Sequence, residues 1–323
     1  MKQMTLAEGG FERFGKTTRR AAFLAEMERV VPWAELCAAI EPFYPKAGGG
    51  RPPVGLERML RIYFLQHWFN LSDPGVEEAL YDSNAMRAFV GIDLGRERVP
   101  DETTVLNFRH LLEKHELGRT LFEQVHRHLE TQGLKVANGT IVDATIINAP
   151  SSTKNRDNAR DPDMHQVKKG NQWYFGMKAH IGVDSKRKVI HSVVATAANV
   201  ADSQVLPDLL HGQETCVWGD QAYQGQTEAI RRKAPGARDL TNRRYRHRGV
   251  INERIRAQNR VKSKVRAKVE HPFHVIKRVF GFVKVCYRGL AKNANRLFVA
   301  CALANLYMVR RHLLRNQGAQ CVR

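Results

Sequence analysis

The spacing of apolar residues predicts helices over residues 54–133. Apolar and ring-bearing side chains recur there every three or four positions, which places them on one face of an α-helix. Asp73-Pro74 predicts the start of a second helix, with proline at its first position, and Asp101 is a predicted N-cap for a third. Gly133 closes the last helix. The first run consists of Leu56, Met59, Leu60, Tyr63, Phe64 and His67.

The pattern changes after residue 139. Short runs rich in β-branched residues predict strands at 139–147, 177–183, 188–197 and 216–220, with a long polar loop over 150–172. Helical spacing returns after the third and fourth strands, and it predicts helices at 204–210, 227–233, 261–282 and 295–314. The order of elements indicates an α/β protein, in which an all-helical N-terminal domain precedes a mixed sheet.

Composition suggests where the domains begin and end. Glycine and proline at 47–53 predict a linker, so residues 1–53 are interpreted as an arm and linker with one short helix at 33–40. Residues 54–133 then form the helical domain and 134–314 the sheet domain, and 315–323 are a tail. A polar, basic insertion at about 235–260 interrupts the sheet domain.

Charge is distributed unevenly along the chain. The formal net charge is +20, yet residues 231–323 contain 25 Lys and Arg against three acids, while residues 1–230 are close to neutral. Such a basic excess favours a polyanionic partner, and nucleic acid is the first expectation, with a membrane surface as the alternative. Glu270 is the only acid after residue 254.

Cysteine and hydropathy patterns exclude several classes of protein. Five scattered cysteines with no C-x-x-C pair argue against a zinc framework and a disulfide scaffold. The first residues lack an apolar signal core, and the longest apolar run, 297–309, is shorter than the ~18 residues of a membrane span. We therefore expect a cytoplasmic protein without a membrane partner.

Three acids stand in contexts that favour chemistry. Asp143 lies in the middle of an apolar strand, where an unpaired acid is costly, and Asp220 ends another strand. On a helix, Arg266, His274 and Lys277 stay within about 40° of Glu270, and Pro272 is expected to kink or end that helix near Glu270. An apolar stripe lies beside them and consists of Val265, Val269, Phe273, Ile276 and Phe280. Three carboxylates can hold two Mg²⁺ ions for phosphodiester displacement. The structural alternatives are a capped turn or buried salt bridge for each Asp, and pairing of Glu270 with its two basic neighbours.

Other segments are candidates for DNA contact. A helix containing Thr103 and Arg109 resembles the reading helix of a helix-turn-helix, although a plain dimerisation bundle explains it equally well. The aromatic run 173–175, beside Lys168 and Lys169, can stack on bases or simply pack in a strand. His180 and His191 are expected in the core.

The insertion and the following helix contain most of the remaining positive charge. We interpret 231–268 as a segment that grips phosphates, with a solvated loop as the alternative. The basic residues predicted to contact DNA there are Arg243, Arg244, Lys262 and Lys264.

Several blocks together resemble one family. They are Gly50-Arg-Pro-Pro53, Pro100-Asp-Glu-Thr-Thr104, Gly139-Thr-Ile-Val-Asp-Ala-Thr145, the run from Lys169 to Asp184, Gly219-Asp-Gln-Ala-Tyr223 and Val269-Glu-His-Pro-Phe273. The chain resembles the bacterial DDE transposases of insertion sequences, in particular the insertion-sequence-five group. The family pattern Tyr-x2-Arg-x3-Glu-x6-Lys fits Arg266, Glu270 and Lys277, but Ser263 stands where the tyrosine is expected.

The resemblance implies a fold and an activity. It implies a ribonuclease H-like catalytic domain in which Asp143, Asp220 and Glu270 bind two divalent metal ions, Mg²⁺ or alternatively Mn²⁺. It also implies that Arg266 and Lys277 contact DNA near the scissile phosphate. The expected reaction is cleavage at the terminal inverted repeats and transfer of the 3′-OH ends into target DNA, by a homodimer or larger synaptic assembly. The alternatives are a nuclease without strand transfer and a non-catalytic DNA-binding protein.

Overall fold

The structure is a computed structural model that describes residues 16–48, 52–134 and 139–320. Parts of the predicted arm (1–15), linker (49–51) and tail (321–323) lie outside the described residues. The predicted boundary between the domains also falls next to residues outside that range, 135–138.

Helices occupy the first part of the chain, as the apolar spacing predicted. Asp101 caps α6, and its Oδ1 accepts a hydrogen bond from the Thr104 backbone N–H at 2.7 Å. The helices are α1 (Arg19–Val30), α2 (Trp33–Ile40), α3 (Leu56–Phe69), α4 (Asp73–Asp82), α5 (Asn84–Val90), α6 (Glu102–Lys114) and α7 (Leu117–Thr131).

The segment interpreted as an arm contains one more helix than predicted. Helix α1 was not predicted from the sequence, and its buried Leu24 and Met27 join the same hydrophobic cluster as Leu36 and Ile40 of α2. The apolar positions of α1 are separated by charged residues, so the segment looks polar in composition although one face is buried.

A mixed sheet forms the second part of the fold. Its described strands are β1 (Gly139–Asn148), β2 (His165–Lys169), β3 (Gln172–Asp184), β4 (Ile190–Ala197), β5 (Cys216–Trp218) and β6 (Arg238–Asp239). The order is β2-β3-β1-β5-β6, with β4 also paired to β3. Strand β1 is central, antiparallel to β3 and parallel to β5.

The predicted polar loop at 150–172 is only partly irregular. Strand β2 lies inside it and pairs with the start of β3, which makes a hairpin with Gly170 at positive φ in the turn. The alternation in this segment is polar on both faces, so the hydrophobic pattern gave no sign of a strand.

The chain after β4 alternates short elements before it becomes helical again. A helical segment is formed by α8 (Asp202–Val205) and a 3₁₀ turn (Leu206–Leu209), and α9 spans Thr227–Lys233. The basic insertion, predicted irregular, contains a small hairpin of β7 (Arg246–His247) and β8 (Val250–Ile251).

The helix predicted at 261–282 is interrupted near Glu270, as Pro272 predicted. The structure has α10 (Glu253–Arg266), a 3₁₀ turn (Ala267–Val269), α11 (Glu270–His274) and a π-helical turn (Val275–Val279). Pro272 cannot donate to the preceding helical carbonyl, which explains why regular α-helix does not persist.

The last helix is central to the core. Helix α12 (Leu290–Gln320) packs against α7, α1 and β4, and it begins before and ends after the predicted range 295–314. Its segment Leu290–Gln317 is long and apolar enough to cross a membrane, but 67% of its most apolar window is buried inside the protein. Burial of this kind is typical of a core helix.

Candidate active site

Strands β1 and β5 bring two of the predicted acids side by side. Their parallel register pairs Gly139 with Cys216 and Ile141 with Trp218. Continued for two residues, the same register sets Asp143 beside Asp220. Gly219 lets β5 and the Tyr223 ring pack closely here, because a Cβ atom at this position would meet the Tyr223 ring at 2.9 Å and the Val142 side chain of β1 at 3.1 Å.

Asp143 is held in a desolvated position on β1. Its Oδ2 accepts a hydrogen bond from Arg266 Nη1 at 2.9 Å, and its Oδ1 accepts one from the Ala144 backbone N–H at 2.8 Å. Burial raises the pKa of Asp143 to about 6 against the lowering effects of these donors, and Asp220 and Glu270 raise it further. The two other acids therefore act on Asp143 through space.

Arg266 and Glu270 come from the helical segment that crosses this part of the sheet. Arg266 is the last residue of α10, and Glu270 is the first residue of α11. Val269 and Phe273 are buried beneath the segment. Arg266 and Glu270 both line the cavity described below, as their spacing of four predicted.

The three acids line one cavity of about 550 Å³. Of the residues predicted for the site, the cavity brings together Asp143, Asp220, Glu270, Arg266 and Lys277. The lining contains three further basic residues, which are Lys169, His274 and Arg278. The sequence placed the first beside the aromatic run and the second next to Glu270, and it indicated no role for the third.

Lys277 is anchored on β1. Its Nζ donates to Thr145 Oγ1 at 2.9 Å and to the Ile146 carbonyl at 2.7 Å. Burial lowers the pKa of Lys277, and the nearby charges of Lys169 and Arg278 lower it further. These three cations line the same cavity as the carboxylates.

The donor set suits a hard divalent cation in its chemistry. Three carboxylates line one cavity, and carboxylate oxygens are the ligands that hard divalent cations prefer. Among the described residues, however, no group of three His, Cys, Asp or Glu side chains is arranged to hold a metal ion. Arg266 supplies the cation to Asp143 in this arrangement, so a metal would have to displace or share that contact.

Comparison with known families identifies the family of the chain. Residues 135–306, more than half of the chain, match the family described as Transposase DDE domain, and this range includes all three acids. The chain belongs to this family of DDE transposases. Its helical region matches a second family, Transposase domain (DUF772), over residues 12–111. Both matches connect the chain to transposition of mobile elements.

A solved structure shows a remote likeness to this DDE-family chain. It is the cryo-EM structure of a piggyBac transposase synaptic complex with hairpin DNA, which is 10% identical in sequence. The match covers 92% of this chain and 76% of that one, with a TM-score of 0.43. A likeness at this level carries no argument about the site.

The two aspartates of this DDE-family chain also have the structural roles that the sequence left open, a capped turn and a salt bridge. Asp220 caps a 3₁₀ turn by accepting from the Ala222 N–H at 2.8 Å, and Asp143 forms a salt bridge with Arg266. The alternative for Glu270 is not what the structure shows, since Arg266 and Lys277 donate to β1 instead. Capping and ion pairing hold the carboxylates in place without removing them from the cavity.

Ser263 joins the basic insertion to α10. Its Oγ accepts a hydrogen bond from Asn242 Nδ2 at 3.1 Å, while the Asn242 Oδ1 is buried without a partner. Lys262, one turn from Arg266, donates to the Thr241 carbonyl at 3.0 Å, and burial lowers its pKa. The position that holds tyrosine in the family pattern is therefore packed against the insertion.

The insertion places its arginines on the surface beside Asp220. Arg243, Arg244 and Lys264 are exposed. A second cavity of about 470 Å³ is lined by Gln221, Arg244, Tyr245, Arg246, Arg248 and Gly249. Gln221 directly follows Asp220, so consecutive residues of the chain line the arginine-lined cavity and the acidic cavity.

The predicted DNA contact at Arg109 is corrected by the structure. Its side chain is buried, pairs with Asp73 at 3.0 Å and Glu113 at 2.8 Å, and stacks on the Tyr287 ring. Because the Arg109 guanidinium is buried and paired with two carboxylates, it is not accessible to a DNA phosphate. Thr103 is exposed in the first turn of α6.

Two histidines and one tyrosine lie behind the carboxylates. His180 and His191 are internal and hydrogen-bonded to Thr196 and Thr140, as expected for core residues. Tyr223 is buried against the sheet, and its hydroxyl has no hydrogen-bond partner. Packing explains the position of Tyr223.

Proposed function

We propose that this chain is a metal-dependent DNA transposase that cleaves the ends of its own insertion sequence and joins the 3′-OH ends to target DNA. The observation that carries the proposal is the single cavity where Asp143, Asp220 and Glu270 meet Arg266 and Lys277. Membership of the DDE transposase family makes phosphodiester chemistry the first expectation for such a cavity.

Asp143, Asp220 and Glu270 are the proposed ligands of two divalent cations, Mg²⁺ or alternatively Mn²⁺. When bound, such ions supply positive charge that stabilises the attacking and leaving oxygens of a phosphodiester displacement. Arg266 and Lys277 are the proposed contacts to the phosphates on either side of the scissile bond. Charge-assisted hydrogen bonds from these cations orient the phosphodiester over the carboxylates.

The proposed reaction has two displacements at phosphorus. In the first, a water oxygen forms a new P–O bond, the bond to the 3′ oxygen breaks, and that oxygen takes a proton and becomes a 3′-OH. In the second, the 3′-OH attacks a target phosphodiester and releases a target 3′-OH. Both steps need positioning and charge neutralisation, and neither needs a covalent nucleophile from the protein.

DNA would extend from the cavity over the basic insertion. Arg243, Arg244, Lys262 and Lys264 are the proposed phosphate contacts there, and their exposure or proximity to the arginine-lined cavity supports this role. Thr103 is the proposed contact from the helical region.

The finer assignment of the family is part of the same proposal. We propose a ribonuclease H-like catalytic domain over 134–314, a helical domain over 54–133, and membership of the insertion-sequence-five group. Joining two ends in one event calls for a homodimer or larger assembly, acting in the bacterial cytoplasm on the nucleoid. The central strand β1, antiparallel to β3 and parallel to β5, supports the fold assignment.

A reconstituted joining assay tests the proposal. Labelled fragments carrying the ends of the element are incubated with a target plasmid, with and without MgCl₂. Asp143→Asn, Asp220→Asn and Glu270→Gln should each lower cleavage at least about 100-fold. Glu253→Gln is the matched control, because Glu253 is an exposed acid on the basic helix α10 and lies outside the cavity.

Each failure has a distinct meaning. Cleavage without joined product favours a nuclease of the same fold. DNA binding that is indifferent to Mg²⁺ and to Asp143→Asn favours a non-catalytic DNA-binding protein. Full activity of Glu270→Gln would show that the site is assigned to the wrong acid.

A further inference from the structure

The hairpin of β2 and β3 presents an exposed tryptophan. Trp173 is 64% exposed, more than Phe43, Tyr81 or Tyr245, the other large aromatics exposed in the described residues. Tryptophan has the largest apolar surface of any side chain, and leaving it in water forgoes much of the stabilisation that burial gives. Strand packing, the simpler expectation from the sequence, does not account for this ring.

The tip of the hairpin is basic and leads to the catalytic cavity. Lys168 pairs with Trp173 across the hairpin, and its Nζ lies 6.0 Å from the centre of the indole ring. The next residue, Lys169, lines the cavity with the three acids. A strand of DNA whose phosphate meets Lys169 therefore passes the neighbourhood of Trp173.

Strand β3 measures how far this tryptophan is from the chemistry. Ile181 pairs with Asp143, and Trp173 lies eight positions before it on the same strand. At about 3.3 Å per residue, the two positions are about 26 Å apart along the strand. This length is an upper limit to their separation, because Lys169 at the same hairpin tip lines the cavity. That span corresponds to roughly eight nucleotides at the 3.4 Å rise of B-DNA, and to fewer in an extended strand.

We propose that Trp173 stacks on an unpaired base of the DNA that the cavity holds, a few nucleotides from the scissile phosphate. The inference rests on the proposed function, because it needs DNA at the cavity. Bases in a duplex already have both faces covered, so an exposed indole can stack only on an unpaired or splayed base. One ring flanked by lysines is far too small for a protein interface of about 1,200 Å² or more.

Binding to two synthetic DNAs tests the inference without any cleavage. One probe is a blunt duplex, and the other is the same duplex with a short unpaired arm; both are titrated in EDTA by fluorescence anisotropy. The wild type should prefer the forked probe about tenfold, the scale of one aromatic–base stack. Trp173→Ala should lose this preference and keep its affinity for the blunt duplex, whereas Trp173→Phe should retain most of the preference.

A matched control and a second readout sharpen the test. Tyr81→Ala removes another exposed aromatic, which lies on α4 and does not line the catalytic cavity, and it should leave the preference unchanged. The other tryptophans, Trp33, Trp68 and Trp218, are buried or partly buried. The forked probe should therefore quench wild-type indole fluorescence more than it quenches that of Trp173→Phe.

The outcomes distinguish failure of the stacking role from failure of the proposed transposase function. If Trp173→Ala binds DNA with the wild-type preference for the fork, the stacking role is wrong and the proposed function stands. If the wild type binds neither probe, both are wrong. Loss of the preference in Trp173→Ala with rescue by Trp173→Phe supports stacking over a merely structural role.

Discussion

The charge of Asp143 is balanced by one guanidinium. Burial and two neighbouring acids raise the pKa of this carboxyl, while the salt bridge to Arg266 opposes them. A divalent cation and Arg266 would both be attracted to the same carboxylate oxygen. The two cations should therefore compete when Mg²⁺ binds.

Competition predicts how Arg266 affects metal binding. In Arg266→Met, millimolar MgCl₂ should raise the thermal unfolding midpoint about 2 °C more than in the wild type, because the guanidinium no longer occupies Asp143. Differential scanning fluorimetry with and without MgCl₂ measures this. Arg256→Met is the matched control, since Arg256 lies on the same helix but pairs with the exposed Glu253.

Two results would contradict this competition. An equal Mg²⁺ effect in Arg266→Met and in the wild type would mean that the salt bridge and the cation use different sites. A Mg²⁺ effect that persists in Asp143→Asn would mean that the cation binds elsewhere.

Individual site residues were predictable where their sequence context was unusual. Asp143 in an apolar strand and Glu270 in a basic run were both singled out, and both line the cavity. Arg109 was misjudged because two of its three partners are distant in sequence: Asp73 lies on another helix and Tyr287 follows the sheet. A single helix pattern cannot show which polar side chain will meet a buried partner.

Among the elements, the segment from α10 to the π-helical turn differs most from its prediction. The predicted apolar stripe of Val265, Val269, Phe273, Ile276 and Phe280 was correct, because these residues pack in or against the core. Pro272 predicted the interruption near Glu270, but the 3₁₀ and π-helical turns on either side of α11 were not predicted, because they depend on the tertiary contacts that hold each turn. Gly281 ends the segment with φ +72, which lets the chain reverse beside Asn70.

The positive φ of Gly281 predicts that a side chain at this position destabilises the protein. Gly281→Ala should lower the free energy of unfolding by about 1–2 kcal/mol, because a left-handed backbone strains an L-residue. The added Cβ would also lie 3.1 Å from the Asn70 Cβ. Gly133→Ala is the matched control, since Gly133 has φ +78 but no atom near the position of a Cβ.

Urea denaturation measures both variants. Gly281→Ala should be the more destabilised of the two by the contact with Asn70. Equal losses of unfolding free energy in the two variants would show that Asn70 moves aside without destabilising the protein. An unchanged unfolding free energy in Gly281→Ala would contradict the backbone strain itself.

At the scale of the whole molecule, the sequence predicted the succession of helices, sheet and helices but not their mutual packing. The charge of the basic C-terminal third predicted a DNA-binding surface, yet the last helix of this third, α12, lies in the core against α7 and β4. Arg310 of α12 pairs with Glu26 of α1, which joins the two ends of the described chain. Contacts over such separations leave no local pattern in the sequence.

The assembled core also buries histidines, and this predicts acid sensitivity. His191 lies between Thr140 Oγ1 and Ser192 Oγ, near the rings of His211 and His126 and the carboxylate of Glu214. Burial, with the two other histidines, lowers the pKa of His191 to about 3. The unfolded chain takes up this proton near pH 6.5 and the folded chain does not, so stability is complete above that pH and falls as the pH drops towards 3.

The expected slope is up to about 1.4 kcal/mol per pH unit for this residue. Urea midpoints measured between about pH 7 and pH 4 should fall less steeply in His191→Gln than in the wild type, whatever the variant's stability at neutral pH. His165→Gln, at an exposed position on β2, is the control and should keep the wild-type slope. An unchanged slope in His191→Gln would mean that His191 gains its proton in the folded protein, and that the cluster around it opens before the molecule unfolds.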